Sequence, residues 1–156
     1  MSHNSSDKSY RSFYFIRHGE TELNRQERCV GGKTDVPLND TGIQQARKLK
    51  KQLLLLNITN VVSSPMLRAR QTAEIAINQP HLIQQDLREW EIGIFEEAPL
   101  KDFLDYTKNL SKTTTLPGGE SRSIFLKGLC LQFTNSLKSF STIGCWLPTG
   151  VHIGRY

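Results

Sequence analysis

Residues 13–16, Phe-Tyr-Phe-Ile, form a short aromatic and β-branched run that stops at Arg17-His18 and is followed at once by Gly19. Such a run predicts a buried strand ending in a polar loop. The pairing of that strand depends on the elements after it. From Asn39-Asp40-Thr41 onward, Ile43, Ala46, Leu49, Leu53 and Leu56 recur every three or four positions behind cap-type residues, which predicts a long helix. Val61-Val62-Ser63 predicts a second buried strand, and Ser64-Pro65 supplies an N-cap and an N1 proline for a helix to about Ile77. Strands alternating with helices of this length predict parallel β-α units in a three-layer α/β/α fold. In such sheets ligands sit beyond the carboxyl ends of the strands.

A short extended piece is expected around Leu82-Ile83, then a small helix over residues 99–110 and a turn at Pro117-Gly118-Gly119. Phe125, Leu129, Phe133 and Leu137 mark a final helix. A chain of 156 residues suits one domain with a proper core. Residues 1–12 are polar and Ser-rich, which predicts a flexible N-terminal tail, and the domain is expected over residues 13–156. No apolar run approaches the ~20 residues of a membrane span, and the tail has no apolar core of a signal peptide, so a cytoplasmic address is expected. Cys29, Cys130 and Cys145 are odd in number and lack a C-x-x-C pairing, which points to free thiols rather than a disulfide framework or a zinc site.

The 20 Lys+Arg against 15 Asp+Glu leave a net charge of +5. Only residues 47–51 are densely basic, and they fall in an amphipathic helical pattern, so they read as a solvated face. Without a nucleic-acid-binding motif or interleaved aromatics, no nucleic-acid partner is expected.

Arg17-His18-Gly19-Glu20-Thr21 falls where a parallel sheet presents its site, and its residue types suit phosphate chemistry. Gly19 lets backbone approach a ligand closely. Arg17 offers a planar fork of donors for phosphoryl oxygens, and a neutral His18 offers a ring nitrogen able to attack phosphorus. Neighbouring cations disfavour the imidazolium and keep that nitrogen unprotonated. Arg68, in the first turn of the second helix, is within reach of the strand ends. Glu89, Glu91 and Glu96 are three carboxylates among which residue type alone does not choose, and Glu120 reads as a helix-start residue.

RHGET at 17–21 with Asn24 three positions on, TDVPLNDTG at 34–42, SSPMLRARQTAEI at 63–75, LREWEIG at 87–93 and PGGES at 117–121 together resemble the histidine phosphatase superfamily, the phosphoglycerate mutase-like family. The resemblance spans roughly 110 residues in the family's order and spacing. It implies that His18 is the transiently phosphorylated histidine, that Arg17 and Arg68 grip the phosphoryl group with help from Asn24, and that Glu89 is the proton-donating carboxylate. It further implies a small phosphorylated metabolite as substrate, a phosphohistidine intermediate resolved by water, and no metal or other cofactor. The short stretch between Glu89 and Pro117 favours a phosphomonoester hydrolase over a phosphoglycerate mutase. A phosphoryl-binding protein that does not turn over is the non-enzymatic alternative.

One part of the family pattern is missing. The family carries a second histidine after an apolar central strand, whereas this chain reads Gly144-Cys145-Trp146-Leu147-Pro148-Thr149-Gly150-Val151-His152. Pro148 removes a ladder donor and Gly150 weakens pairing, which predicts a poor central strand. His152, displaced but followed by Gly154, is one candidate for the second histidine. The preferred expectation is a frameshift near residue 145: the codons of residues 145–150, read one base earlier, permit Leu-Val-Ala-His-Gly. On that reading the C-terminal portion of the domain is absent, activity is low or lost, and an unpaired sheet edge invites association with another chain.

Overall fold

The computed structural model describes residues 12–56, 58–139, 142–144 and 152–155. Within them the elements run β1 (Ser12–Phe15), α1 (Glu22–Arg25), α2 (Asp40–Leu53), β2 (Asn60–Ser63), α3 (Leu67–Ile77), β3 (Leu82–Ile83), α4 (Leu100–Thr107), α5 (Arg122–Ser139), β4 (Thr142–Gly144) and β5 (His152–Arg155). Two 3-10 turns, Gln85–Leu87 and Gly93–Phe95, lie between β3 and α4. The tail expected over residues 1–12 lies outside the described residues except for Ser12.

The five strands form one sheet in the order β3-β2-β4-β1-β5. β1, β2, β3 and β4 are mutually parallel, and β5 runs antiparallel to β1. The parallel pairing follows from the crossovers: each helix returns the chain to the starting edge, so successive strands point the same way. Helices cover both faces. Leu53 of α2 and Met66, Ala69 and Ala76 of the α3 region pack with Ile16, and Leu49 and Leu56 close the edge of that cluster. On the other face Leu129 and Phe125 of α5 pack on Val62 and Leu87. This is the expected three-layer α/β/α arrangement.

The second long helix begins later than the sequence suggests. α3 starts at Leu67 and its N-cap position is Met66, which makes no side-chain cap bond. Ser64 Oγ instead accepts from the Met66 N–H at 3.3 Å, a turn ahead of the helix, and the Leu67 N–H donates to Asp35 Oδ1 at 2.6 Å. The capping oxygen therefore comes from a distant loop, which a local cap rule does not detect. Asn39 caps α2 as expected, accepting from the Gly42 N–H at 2.8 Å.

The centre of the sheet is filled by β4. This strand pairs with both β1 and β2 and spans Thr142–Gly144, ahead of Pro148 and Gly150 in the sequence. Cys145, Pro148 and Gly150 lie outside the described residues, as do the side chains of Phe133 and Leu137. The backbone of His152 opposes Phe15 on β5. That residue is the last of β1, so His152 stands at the carboxyl end of that strand.

Candidate active site

β1 leads into Arg17-His18-Gly19, and this loop is held by contacts with α2 and α3. The Gly19 N–H donates to Thr72 Oγ1 at 3.0 Å, and the Thr72 hydroxyl donates to the Arg68 carbonyl at 2.7 Å. On the opposite side the loop lies against the start of α2. A Cβ on Gly19 would run into the Gly42 carbonyl oxygen, and one on Gly42 would overlap the Glu20 carbonyl oxygen. Only glycine at both positions allows two backbones to come this close. The Glu20 N–H donates to Gln45 Oε1 at 2.8 Å, and Asn39 Nδ2 donates to Glu20 Oε1 at 2.8 Å. The backbone beneath His18 is thus fixed from two sides.

His18 Nδ1 lies 2.7 Å from the Gly19 carbonyl oxygen. A carbonyl only accepts, so Nδ1 carries the proton and Nε2 keeps its lone pair. Burial lowers the His18 pKa to about 4; the bond to Gly19 opposes that shift, and the charges of Arg68 and Arg17 reinforce it. At neutral pH the ring is uncharged.

Arg68 is the second residue of α3 and is 2% exposed. Its Nη1 donates to the Thr34 carbonyl at 2.9 Å and its Nη2 to the Gly31 carbonyl at 3.5 Å. Arg17, at the end of β1, is exposed. Glu89 follows the first 3-10 turn, and its Oε1 accepts from the Trp90 N–H at 3.0 Å. Burial raises the Glu89 pKa; the Trp90 bond and the charges of Arg68 and Arg17 pull it back, and the charge of Glu96 raises it further. Arg17 and Arg68 act electrostatically on both His18 and Glu89, so these four sequence-predicted residues share one environment.

Asn24 is held by Thr21 rather than by any of those four. In α1 the Thr21 hydroxyl accepts from the Asn24 N–H and Asn24 Oδ1 accepts from the Thr21 N–H, both at 3.2 Å, a reciprocal capping box. With its oxygen engaged there, the other end of the Asn24 amide is a donor.

Of the remaining carboxylates, Glu91 pairs with Arg88 and, at 3.6 Å, with Lys33. Glu120 is a fastening residue: its Oε1 accepts from the Glu91 N–H at 3.2 Å and its carbonyl accepts from Trp90 Nε1 at 3.0 Å. Thr72 takes part in the framework of the site, a role that the sequence does not assign to it. Thr72 stands one helical turn beyond Arg68, a spacing that could have flagged it. Among the described residues no group of three or more His, Cys, Asp or Glu could hold a metal ion, and no helix is long and apolar enough to cross a membrane.

Residues 13–127 match the family described as the histidine phosphatase superfamily (branch 1). The chain belongs to that superfamily. It is 40% identical over 90 residues to the uncharacterized phosphatase PhoE of Bacillus subtilis (strain 168), covering 56% of this chain and 46% of that protein. It is 33% identical over 118 residues to the probable phosphoglycerate mutase GpmB of Enterobacter sp. (strain 638), covering 69% of this chain and 54% of that protein. The chain therefore spans about half the length of these curated relatives. Among solved structures, TTHB049 from Thermus thermophilus superposes with a TM-score of 0.72 at 34% identity, over 85% of this chain and 76% of that one.

Proposed function

We propose that this chain is a phosphomonoester hydrolase acting on a small phosphorylated metabolite through a phosphohistidine at His18. The observation that carries the reading is the state of His18: an uncharged ring with its proton on Nδ1, a free lone pair on Nε2, and two arginines close enough to act on it. A cationic pocket that keeps its histidine neutral suits attack on a dianionic phosphoryl group.

In the first step Nε2 attacks phosphorus, the P–O ester bond breaks, and the leaving oxygen takes the proton of the Glu89 carboxyl group. The raised pKa of Glu89 supports its role as donor, because a carboxyl group that holds its proton more tightly is available as an acid nearer neutral pH. In the second step the Glu89 carboxylate takes a proton from water, the resulting hydroxide attacks phosphorus, and the P–N bond breaks. Inorganic phosphate leaves and His18 returns to its starting state. Arg68, oriented by two backbone carbonyls, and Arg17 carry the charge of the transferring group, with the Asn24 amide as a further donor.

The likeness to a probable phosphoglycerate mutase favours one second reading, in which the same phosphohistidine is passed to a sugar acid rather than to water. Hydrolysis of an aryl phosphate by the purified chain, measured beside His18→Ala, tests the proposal. Release of phosphate that disappears in the variant is expected; equal release by both chains would overturn it.

A further inference from the structure

We propose that Glu96 is the positioning residue for Arg68, acting through the backbone of residues 31–34. The inference rests on the functional reading above, since it concerns the arginine of that same site. Three donors of the segment converge on one carboxylate. Glu96 Oε2 accepts from the Gly31 N–H at 3.0 Å and from Thr34 Oγ1 at 2.5 Å, and Oε1 accepts from the Lys33 N–H at 3.2 Å.

The same segment also supplies the acceptors of Arg68. The Gly31 and Thr34 carbonyls are the acceptors of the two Arg68 Nη groups. Holding residues 31, 33 and 34 on Glu96 therefore fixes the stretch of backbone that presents the Gly31 and Thr34 carbonyls to the guanidinium. Residue 31 must be small for this arrangement, because a Cβ there would overlap Glu96 Oε1. Glu96 is itself placed by the second 3-10 turn, where its N–H donates to the Gly93 carbonyl at 3.1 Å. The chain of contacts thus runs from that turn, through Glu96 and the 31–34 backbone, to a buried cation.

A carboxylate suits the task better than an amide. Both of its oxygens accept, whereas a glutamine would turn an NH2 toward one of the three donors. Thr34→Val removes one of the three contacts without touching Glu96 and provides an independent perturbation.

The test measures two quantities on the full chain: the Arg68 Nε–H resonance in the absence of ligand, and the affinity for inorganic phosphate by calorimetry. Glu96→Gln and Thr34→Val are expected to shift or broaden the Arg68 resonance and to weaken phosphate binding at least several-fold, Glu96→Ala at least ten-fold. Glu97→Gln, an exposed neighbour outside the network, should leave both unchanged. An Arg68 resonance unmoved in folded Glu96→Gln and Thr34→Val would overturn the positioning claim. If the unaltered chain binds no phosphate, the functional reading fails, and the resonance alone decides whether Glu96 orients Arg68. If Glu96→Ala does not fold, the two milder variants carry the decision.

Discussion

The site is supplied by two regions built in different ways. Arg17, His18 and Arg68 stand at the ends of β1 and α3, elements packed into the sheet and its helical layer. Glu89 and Glu96 stand between residues 84 and 121, where two 3-10 turns and the short α4 are joined by irregular chain. The first region places side chains by regular geometry, and burial of its apolar faces rigidifies them. The second places them by hydrogen bonds between loops: the Gly32 N–H to the Trp90 carbonyl at 2.9 Å, the Cys29 N–H to the Ala98 carbonyl at 2.8 Å, and Glu120 to Trp90 and Glu91. Its own small core of Cys29, Ile92, Phe95 and Leu116 holds these crossings together. On the proposed mechanism, nucleophile and phosphate grip thus belong to the part built on strand and helix, and the proton donor to the part held by contacts between loops.

The largest effect that would sharpen this contrast is at the proton donor. Glu89→Gln should slow the first step, phosphoryl transfer from an alkyl phosphate followed in a single turnover, by roughly 10²–10⁴-fold, with little change in that step for an aryl phosphate whose leaving group needs no proton. Equal losses on the two substrates would contradict the acid role. Arg68→Met should reduce kcat/KM on the order of 10²–10³-fold on both, as loss of a transition-state donor does. It should also destabilise the chain, because the Gly31 and Thr34 carbonyls lose a buried partner at about 1–3 kcal/mol each.

A smaller effect is expected beneath the nucleophile. Thr72→Val leaves the buried Gly19 N–H without its acceptor, at a cost of about 1–3 kcal/mol measurable by denaturant unfolding, whereas Thr72→Ser should restore most of it. Equal stability of the two variants would show that the loop does not depend on this hydroxyl.

The pH profile gives the finest comparison. Because the folded His18 pKa lies near 4 rather than at 6.5, kcat/KM should hold as pH falls through 6.5 and decline only near 4, where Nε2 gains a proton. The sign for stability is set by the same shift: the unfolded chain binds this proton first, so folding stability falls as pH drops from about 6.5 to about 4. His18→Ala should lose that part of the pH dependence. An acid limb of the rate near 6.5 would mean that the ring is solvated.

The two regions also differ in how far the sequence discloses them. The run of residues 13–16, the period of Ile43, Ala46, Leu49 and Leu53, and the pair Val61-Val62 announce β1, α2 and β2, because burial of one face imposes a period. Arg68 falls near the strand ends for the same reason. The start of α3 is displaced because its capping oxygen comes from Asp35, far away in sequence. In the loop region no period exists. Glu89, Glu91 and Glu96 are alike as letters, and only the family pattern singles out Glu89. Their differences arise from tertiary surroundings: burial for Glu89, cationic neighbours for Glu91, and three converging donors for Glu96. The central strand is hidden in the same way. Pro148 and Gly150 argue against a strand through them, but β4 lies just before, at Thr142–Gly144.

The most direct test of the central claim is to quench the purified chain during turnover of a phosphomonoester and to look for a phosphoryl group on histidine by mass spectrometry under conditions that preserve the P–N bond. A phosphorylated peptide containing His18 is expected, and none in His18→Ala. Turnover that proceeds with no phosphohistidine, or with the phosphoryl group on another residue, would contradict it.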